Sequence, residues 1–87
     1  MTETDTLINY LLPSSDSPES LYKQLSRSLH NAIQQGMLNP GDSLIPEREL
    51  ANKLNLSRIT VRKAIDQLVD IGVLQKHHGA GTVVSDN

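Results

Sequence analysis

The stretch LSRITVRKAIDQLV, residues 56–69, limits what this chain can fold into more than any other. Val61, Ala64, Ile65, Leu68 and Val69 recur at i, i+3, i+4, i+7 and i+8, the spacing of one buried helical face. Arg58, Thr60, Arg62 and Lys63 crowd the beginning of the same helix, off that face. Cations are unfavourable at a helix N-terminus, because the backbone dipole is positive there. The apolar stripe therefore demands packing partners inside the fold, and the charge demands a partner outside it.

The rest of the chain sets bounds on that partner. Eighty-seven residues suit one small domain with a modest core. There is no cysteine, so neither a disulfide nor a thiolate metal site is available. His30 stands alone, and the adjacent His77 and His78 would point to opposite faces of a strand, so no metal site and no cofactor is expected. The start lacks a basic region followed by a long apolar run, which predicts neither a signal peptide nor a membrane span and favours a cytoplasmic location. The net charge of −2 conceals a split. Glu3, Asp5, Asp16 and Glu19 fall within residues 1–20, which hold no Lys or Arg. Within residues 48–63, by contrast, Arg48, Lys53, Arg58, Arg62 and Lys63 face only Glu49. The informative quantity is this local positive field.

Residues 1–16 read as an acidic, polar N-terminal tail with a short apolar patch, LINYLL, and residues 17–87 as the folded domain. A first helix is expected with Ser17 as its cap, Pro18 at its first position and Glu19 in its first turn. It would bury Leu21, Leu25, Leu29, Ala32 and Ile33, with Tyr22 alongside, and stop at Gly36. NPGD is a turn signal, and SLI fits a brief strand. Pro46 can open a second helix through Leu54 that buries Leu50, Ala51 and Leu54. Asn55, one of the few non-glycine residues at home in the left-handed region, can end that helix sharply. Ser57 can then cap a third helix by accepting from the amide of Ile59 or Thr60. That helix spans residues 57–71 and stops at Gly72. Helix, tight turn, capped helix is the helix-turn-helix pattern. The period then changes, and Val73–His77 and Thr82–Val84 read as two strands joined by a glycine-containing hairpin. The fold class predicted is mainly α with a small β-hairpin: a winged helix-turn-helix, three helices plus a wing formed by residues 73–84. Residues 1–16 are expected to be dispensable for folding.

A helix of this kind fits the major groove of double-stranded DNA with its N-terminal residues nearest the base edges. Phosphates would offset the clustered cations, and exposed helix amides would add contacts. Arg58 and Arg62, four apart, share a flank and can reach a guanine or phosphates. Ser57 and Thr60 can bond phosphate oxygens. Ile59 lies about 180° from the apolar stripe on a wheel of 100° per residue. It is either a contact for a thymine methyl group or an incidental exposed apolar side chain. In the wing, Gly79 and Gly81 either permit close backbone approach to a ligand or merely serve the turn. His78 can donate a hydrogen bond or enter the minor groove, and Lys76 and His77 can meet phosphates.

Two rivals are weaker. No Gly-x-Ser-x-Gly elbow, His-Glu-x-x-His helix or phosphate loop is present, and so small a core leaves little room for a substrate pocket, so no catalytic residues are assigned. A winged helix that binds only protein would carry apolar side chains where this one has Arg58, Arg62 and Lys63.

Residues 21–84 resemble the DNA-binding domain of GntR-family bacterial transcription regulators. The matching motifs are G-x-L-x-P-G-D-x-L, E-R-E-L-A, S-R-x-T-V-R-K-A and the wing G-x-G-T-x-V, in order and in register across the folded region. TVRKAIDQLV is most similar to the HutC-like branch, whose members carry a ligand-binding C-terminal domain. The resemblance implies a transcription regulator, with a repressor the commoner family outcome and an activator the alternative. One recognition helix reads only a few base pairs, so two copies, a homodimer on DNA, are expected on a pseudo-palindromic operator, with the isolated domain monomeric or weakly dimeric in solution. The resemblance also implies DNA contacts from Arg48 of E-R-E-L-A, from Ser57, Arg58, Thr60 and Arg62, and from Gly79 with His78 beside it. This chain differs from the family pattern in having Ile45-Pro46 where Pro-Ser is frequent, Asn55 for a glycine, and Ala80 where Arg or Lys is frequent.

Overall fold

The computed structural model describes residues 3–12, 20–77, 79 and 81–85, without the side chains of residues 3–5. Among the described residues, four helices precede a hairpin: α1 (Glu3–Leu11), α2 (Leu21–Gln34), α3 (Glu47–Leu54), α4 (Arg58–Asp70), β1 (Leu74–His77) and β2 (Gly81–Val84). The core lies among α2, α3 and α4. Leu25, Leu29 and Ala32 of α2 meet Val61, Ala64, Ile65 and Leu68 of α4, with Leu50, Ala51 and Leu54 of α3 closing the cluster. Leu74 and Val84 extend it beneath the wing. The apolar periodicity that predicted these faces also selects them, because each helix becomes stable only when its stripe is covered.

The three later helices end in one shared way. Met37, Leu56 and Val73 each return an amide to a carbonyl five residues back (Ala32, Ala51 and Leu68, all at 2.9 Å). This closure needs a left-handed residue just past the helix. Gly36 (φ 85°), Asn55 (φ 56°) and Gly72 (φ 84°) occupy those places. All three stops therefore fall where the sequence expected them. At the other ends, α3 begins at Glu47 behind Pro46, and α4 begins at Arg58 behind Ser57.

The start of α2 differs from expectation. The helix begins at Leu21 with Ser20 in the cap position, and the expected cap at Ser17 and its neighbours Pro18 and Glu19 lie outside the described residues. Leu21, expected in the core, is 44% exposed. Its angle on the wheel is right, but at the first residue of the helix it reaches past the end of the core.

The expected polar tail is corrected more substantially. Residues Glu3–Leu11 form α1, which packs on both α2 and α3. Leu7 and Leu11 are buried in the common core, with Ile8 and Tyr10 partly buried beside them. Gln35, just past α2, donates from Nε2 to the Tyr10 hydroxyl at 3.2 Å. LINYLL is thus the apolar face of a short helix, and the expectation that this segment is dispensable for folding does not fit its burial.

In the wing, β1 and β2 pair antiparallel, with Leu74 opposite Val84 and His77 opposite Gly81. The SLI strand is reduced to a single bridge, Ser43 with Val83. Backbone bonds from Leu44 to Thr82 (2.8 Å) and from Val84 to Asp42 (2.9 Å) nevertheless fasten residues 42–44 along the outer edge of β2. Pro46, which has no N–H, and the start of α3 end the pairing. No helix among the described residues is long and apolar enough to cross a membrane.

Candidate nucleic-acid interface

The turn between α3 and α4 sets the interface. Asn55 at φ 56°, ψ 44° turns the chain after Leu54, and Ser57 in extended conformation starts α4 two residues later. Ser57 Oγ accepts from the Thr60 amide at 3.1 Å, which satisfies one of the donors that a helix start leaves unpaired. The Ser57 hydroxyl in turn donates to Thr60 Oγ1 at 2.8 Å. Ser57 therefore has its proton committed, while the Thr60 hydroxyl keeps its own proton for an acceptor outside the protein.

Around this turn the expected residues separate by environment. Arg58 of α4 and Arg48 of α3 line one open cleft of about 410 Å³ together with Lys76, His77 and Gly81 of the wing. Ile45 and Pro46 lend it an apolar wall, and Glu47 also lines it. Neither arginine has an ion-pair partner among the described residues. Two uncompensated guanidiniums and a lysine along one cleft form an anion-attracting strip. Arg62, one turn further along α4, is held instead: its Nε donates to Glu47 Oε1 at 3.3 Å. Ile59 is 70% exposed, as its wheel position predicted.

Lys63, one of the cations clustered at the start of α4, has a neighbour of a different kind. Its Nζ lies 5.6 Å from the ring centroid of Tyr22 on α2, a cation–π distance. It therefore extends along the α2 side of α4, outside the cleft of Arg48 and Arg58. Lys76 belongs to the cleft yet also pairs with Asp66 of α4 at 2.6 Å, linking wing to helix. With both side chains half exposed, that link is worth about 0–1 kcal/mol.

At the wing tip, Gly79 (φ 80°) and Gly81 (φ 77°) both adopt the left-handed backbone. A Cβ at either would meet nothing within 4 Å. Backbone conformation alone thus accounts for both glycines, and the space around them is open. His78, expected at the tip, lies outside the described residues, as does Ala80.

What sequence reasoning missed here is pairing across elements. The Arg62–Glu47 contact spans fifteen positions and depends on how α3 crosses α4. The one local clue was that Glu47 opens the E-R-E-L-A run beside Arg48.

Comparison with known proteins follows the same boundaries. The family model for bacterial regulatory proteins of the gntR family matches residues 21–84. The mannosyl-D-glycerate transport/metabolism system repressor MngR of Escherichia coli (strain K12) is 39% identical over 66 residues, covering 76% of this chain and 28% of the repressor. The transcriptional repressor NagR of Bacillus subtilis (strain 168) is 40% identical over 72 residues, covering 83% of this chain and 30% of the repressor. The chain thus spans under a third of the length of these relatives. Among solved structures, the GntR-family transcription factor YtrA from Sulfolobus acidocaldarius superposes with a TM-score of 0.83 at 33% identity, covering 88% of this chain and 82% of YtrA. The DNA-binding domain of AraR in complex with operator ORE1 superposes with a TM-score of 0.75 at 34% identity, covering 84% of this chain and 89% of that domain.

Proposed function

This chain belongs to the gntR family of bacterial regulatory proteins, and from that premise we propose that it is the sequence-specific, double-stranded-DNA-binding part of a transcription repressor. In this reading α4 lies in the major groove and the β1–β2 hairpin acts as the wing. The observation that carries it is the cleft in which Arg48 and Arg58 stand uncompensated beside the capped start of α4. The operator-bound AraR domain, which shares this fold, supports it.

Residue roles follow from the chemistry of each position. Arg58 and Arg62 contact base edges, for which a planar guanidinium suits guanine O6 and N7. Arg48 and the Thr60 hydroxyl hold phosphates, and Ser57, its own hydroxyl proton committed to Thr60 Oγ1, orients that donor. Ile59 packs on a thymine methyl group. Gly79 and Gly81 bring the wing to the backbone or minor groove, and His78 donates a hydrogen bond there. The protein acts in the cytoplasm without cofactor or catalysis. Two copies bind a pseudo-palindrome, because one recognition helix reads only a few base pairs. In a regulator as long as the relatives, effector response and much of the pairing would reside beyond this domain.

The test is selection from a random-sequence duplex library, followed by titration of the recovered duplex and a scrambled one across a salt series. A recovered consensus, with affinity falling steeply as salt rises, is expected. No consensus, or a flat salt response, would refute the reading.

A further inference from the structure

Glu47 is an unexpected residue to find in a cleft shared by Arg48, Arg58 and Lys76, because a carboxylate there repels the phosphates that the cations would attract. Its place in the first turn of α3 suits the helix dipole. That role, however, does not account for its aim. Its side chain is only 21% exposed, and Oε1 accepts the Nε proton of Arg62 on the neighbouring helix.

The guanidinium is a rigid plane carrying five N–H donors. Engaging it at Nε fixes the plane of the group from behind. The two Nη groups at its far end have no partner among the described residues. Those paired terminal donors are the ones that match guanine O6 and N7 bidentately. Arg58, without such a support, keeps its rotamer freedom and can follow phosphates or bases alike.

We propose that Glu47 is a positioning residue for sequence readout: its carboxylate presents the Arg62 Nη pair to a guanine edge in the major groove. The proposal rests on the reading of Arg62 as a base contact. Glu47 then raises specificity in two ways. It preorganises one arginine for the correct base pair, and its negative charge weakens attachment to any backbone lacking that base pair.

The experiment uses the whole chain, the duplex recovered by selection, single-base-pair variants of it, and a scrambled duplex. Arg62→Ala identifies the base pair read by Arg62. Glu47→Met, similar in length but without an oxygen acceptor for the Nε proton, is expected to reduce preference at that same base pair about tenfold, within the range of one lost bidentate contact. Its affinity for the scrambled duplex should stay equal or rise. Placing Glu47→Met in the Arg62→Ala background should change that preference by less than about twofold, since nothing remains to position. A Glu47→Met chain that keeps the preference, while Arg62→Ala loses it, overturns the positioning role and leaves Arg62 as a reader. Equal loosening at every base pair, or full additivity of the two substitutions, assigns Glu47 a structural role and overturns the proposal. An Arg62→Ala chain with every preference intact overturns the reading of Arg62 and the proposal with it. A second measurement needs no variant. In the native chain the Arg62 Nε proton should exchange with water more slowly than that of Arg58, and equal rates would contradict the contact.

Discussion

α1 and α4 are both two-faced helices, and their outer faces differ in kind. Each buries leucine or β-branched residues in the same core: Leu7 and Leu11 from one, Val61, Ile65 and Leu68 from the other. Beyond the core, the described outer face of α1 carries small polar groups, Thr6 and Asn9, and its Tyr10 hydroxyl is taken by Gln35. The outer face at the start of α4 carries Arg58, Ile59 and Arg62. The contrast separates two kinds of conformational debt. α1 is completed by the fold, whereas the beginning of α4 is completed only by something the fold does not contain. Substitutions in the two regions should accordingly register in different measurements.

The largest effect is expected from α1. Leu11 is wholly buried, so Leu11→Ala should cost about 2–5 kcal/mol through lost transfer energy and the cavity left behind. For a domain of this size that lowers Tm by roughly 8 °C or more. Molecules that remain folded at low temperature should still prefer the selected duplex. A loss of preference without a fall in Tm would erase the distinction between the two regions.

Arg58→Ala should do the reverse. With no ion-pair partner among the described residues, its removal should leave Tm and helical circular dichroism unchanged. Preference for the selected duplex should fall by about 1–3 kcal/mol. Melting at a clearly lower temperature would move Arg58 into the structural class.

Ser57→Ala falls between these two cases, because Ser57 both caps α4 and stands at its outer face. Losing the cap should cost about 0.5–2 kcal/mol of stability. It should also weaken DNA binding modestly, since the Thr60 hydroxyl loses the neighbour that orients it. Thermal melts and duplex titrations of one protein sample measure both. A change in only one of them would assign the residue to a single region.

These contrasts also explain what could be read from the sequence. The faces of α2, α3 and α4 were legible because periodicity over two or more turns is a local signal. The three helix ends were legible because a left-handed backbone admits few residue types, glycine and asparagine among them. The Ser57 cap needed only three residues of context. α1 was not legible, because Leu7 and Leu11 alone look like a patch on a polar tail, and what buries them lies on α2 and α3. The exposure of Leu21 depended on how far the core extends along α2. Within the candidate site, Arg48, Arg58 and the exposed Ile59 followed from motif and wheel angle. The hold of Glu47 on Arg62 and the stacking of Lys63 on Tyr22 did not, since both depend on helices crossing at particular positions.

The start of α4, with the cleft it shares with α3 and the wing, is the surface we assign to DNA. Amide chemical-shift mapping during titration with the selected duplex tests this most directly. The largest shifts should fall at residues 57–62, 46–48 and 76–82, with little change along α1. Shifts centred on α1, or spread evenly over all four helices, would contradict it.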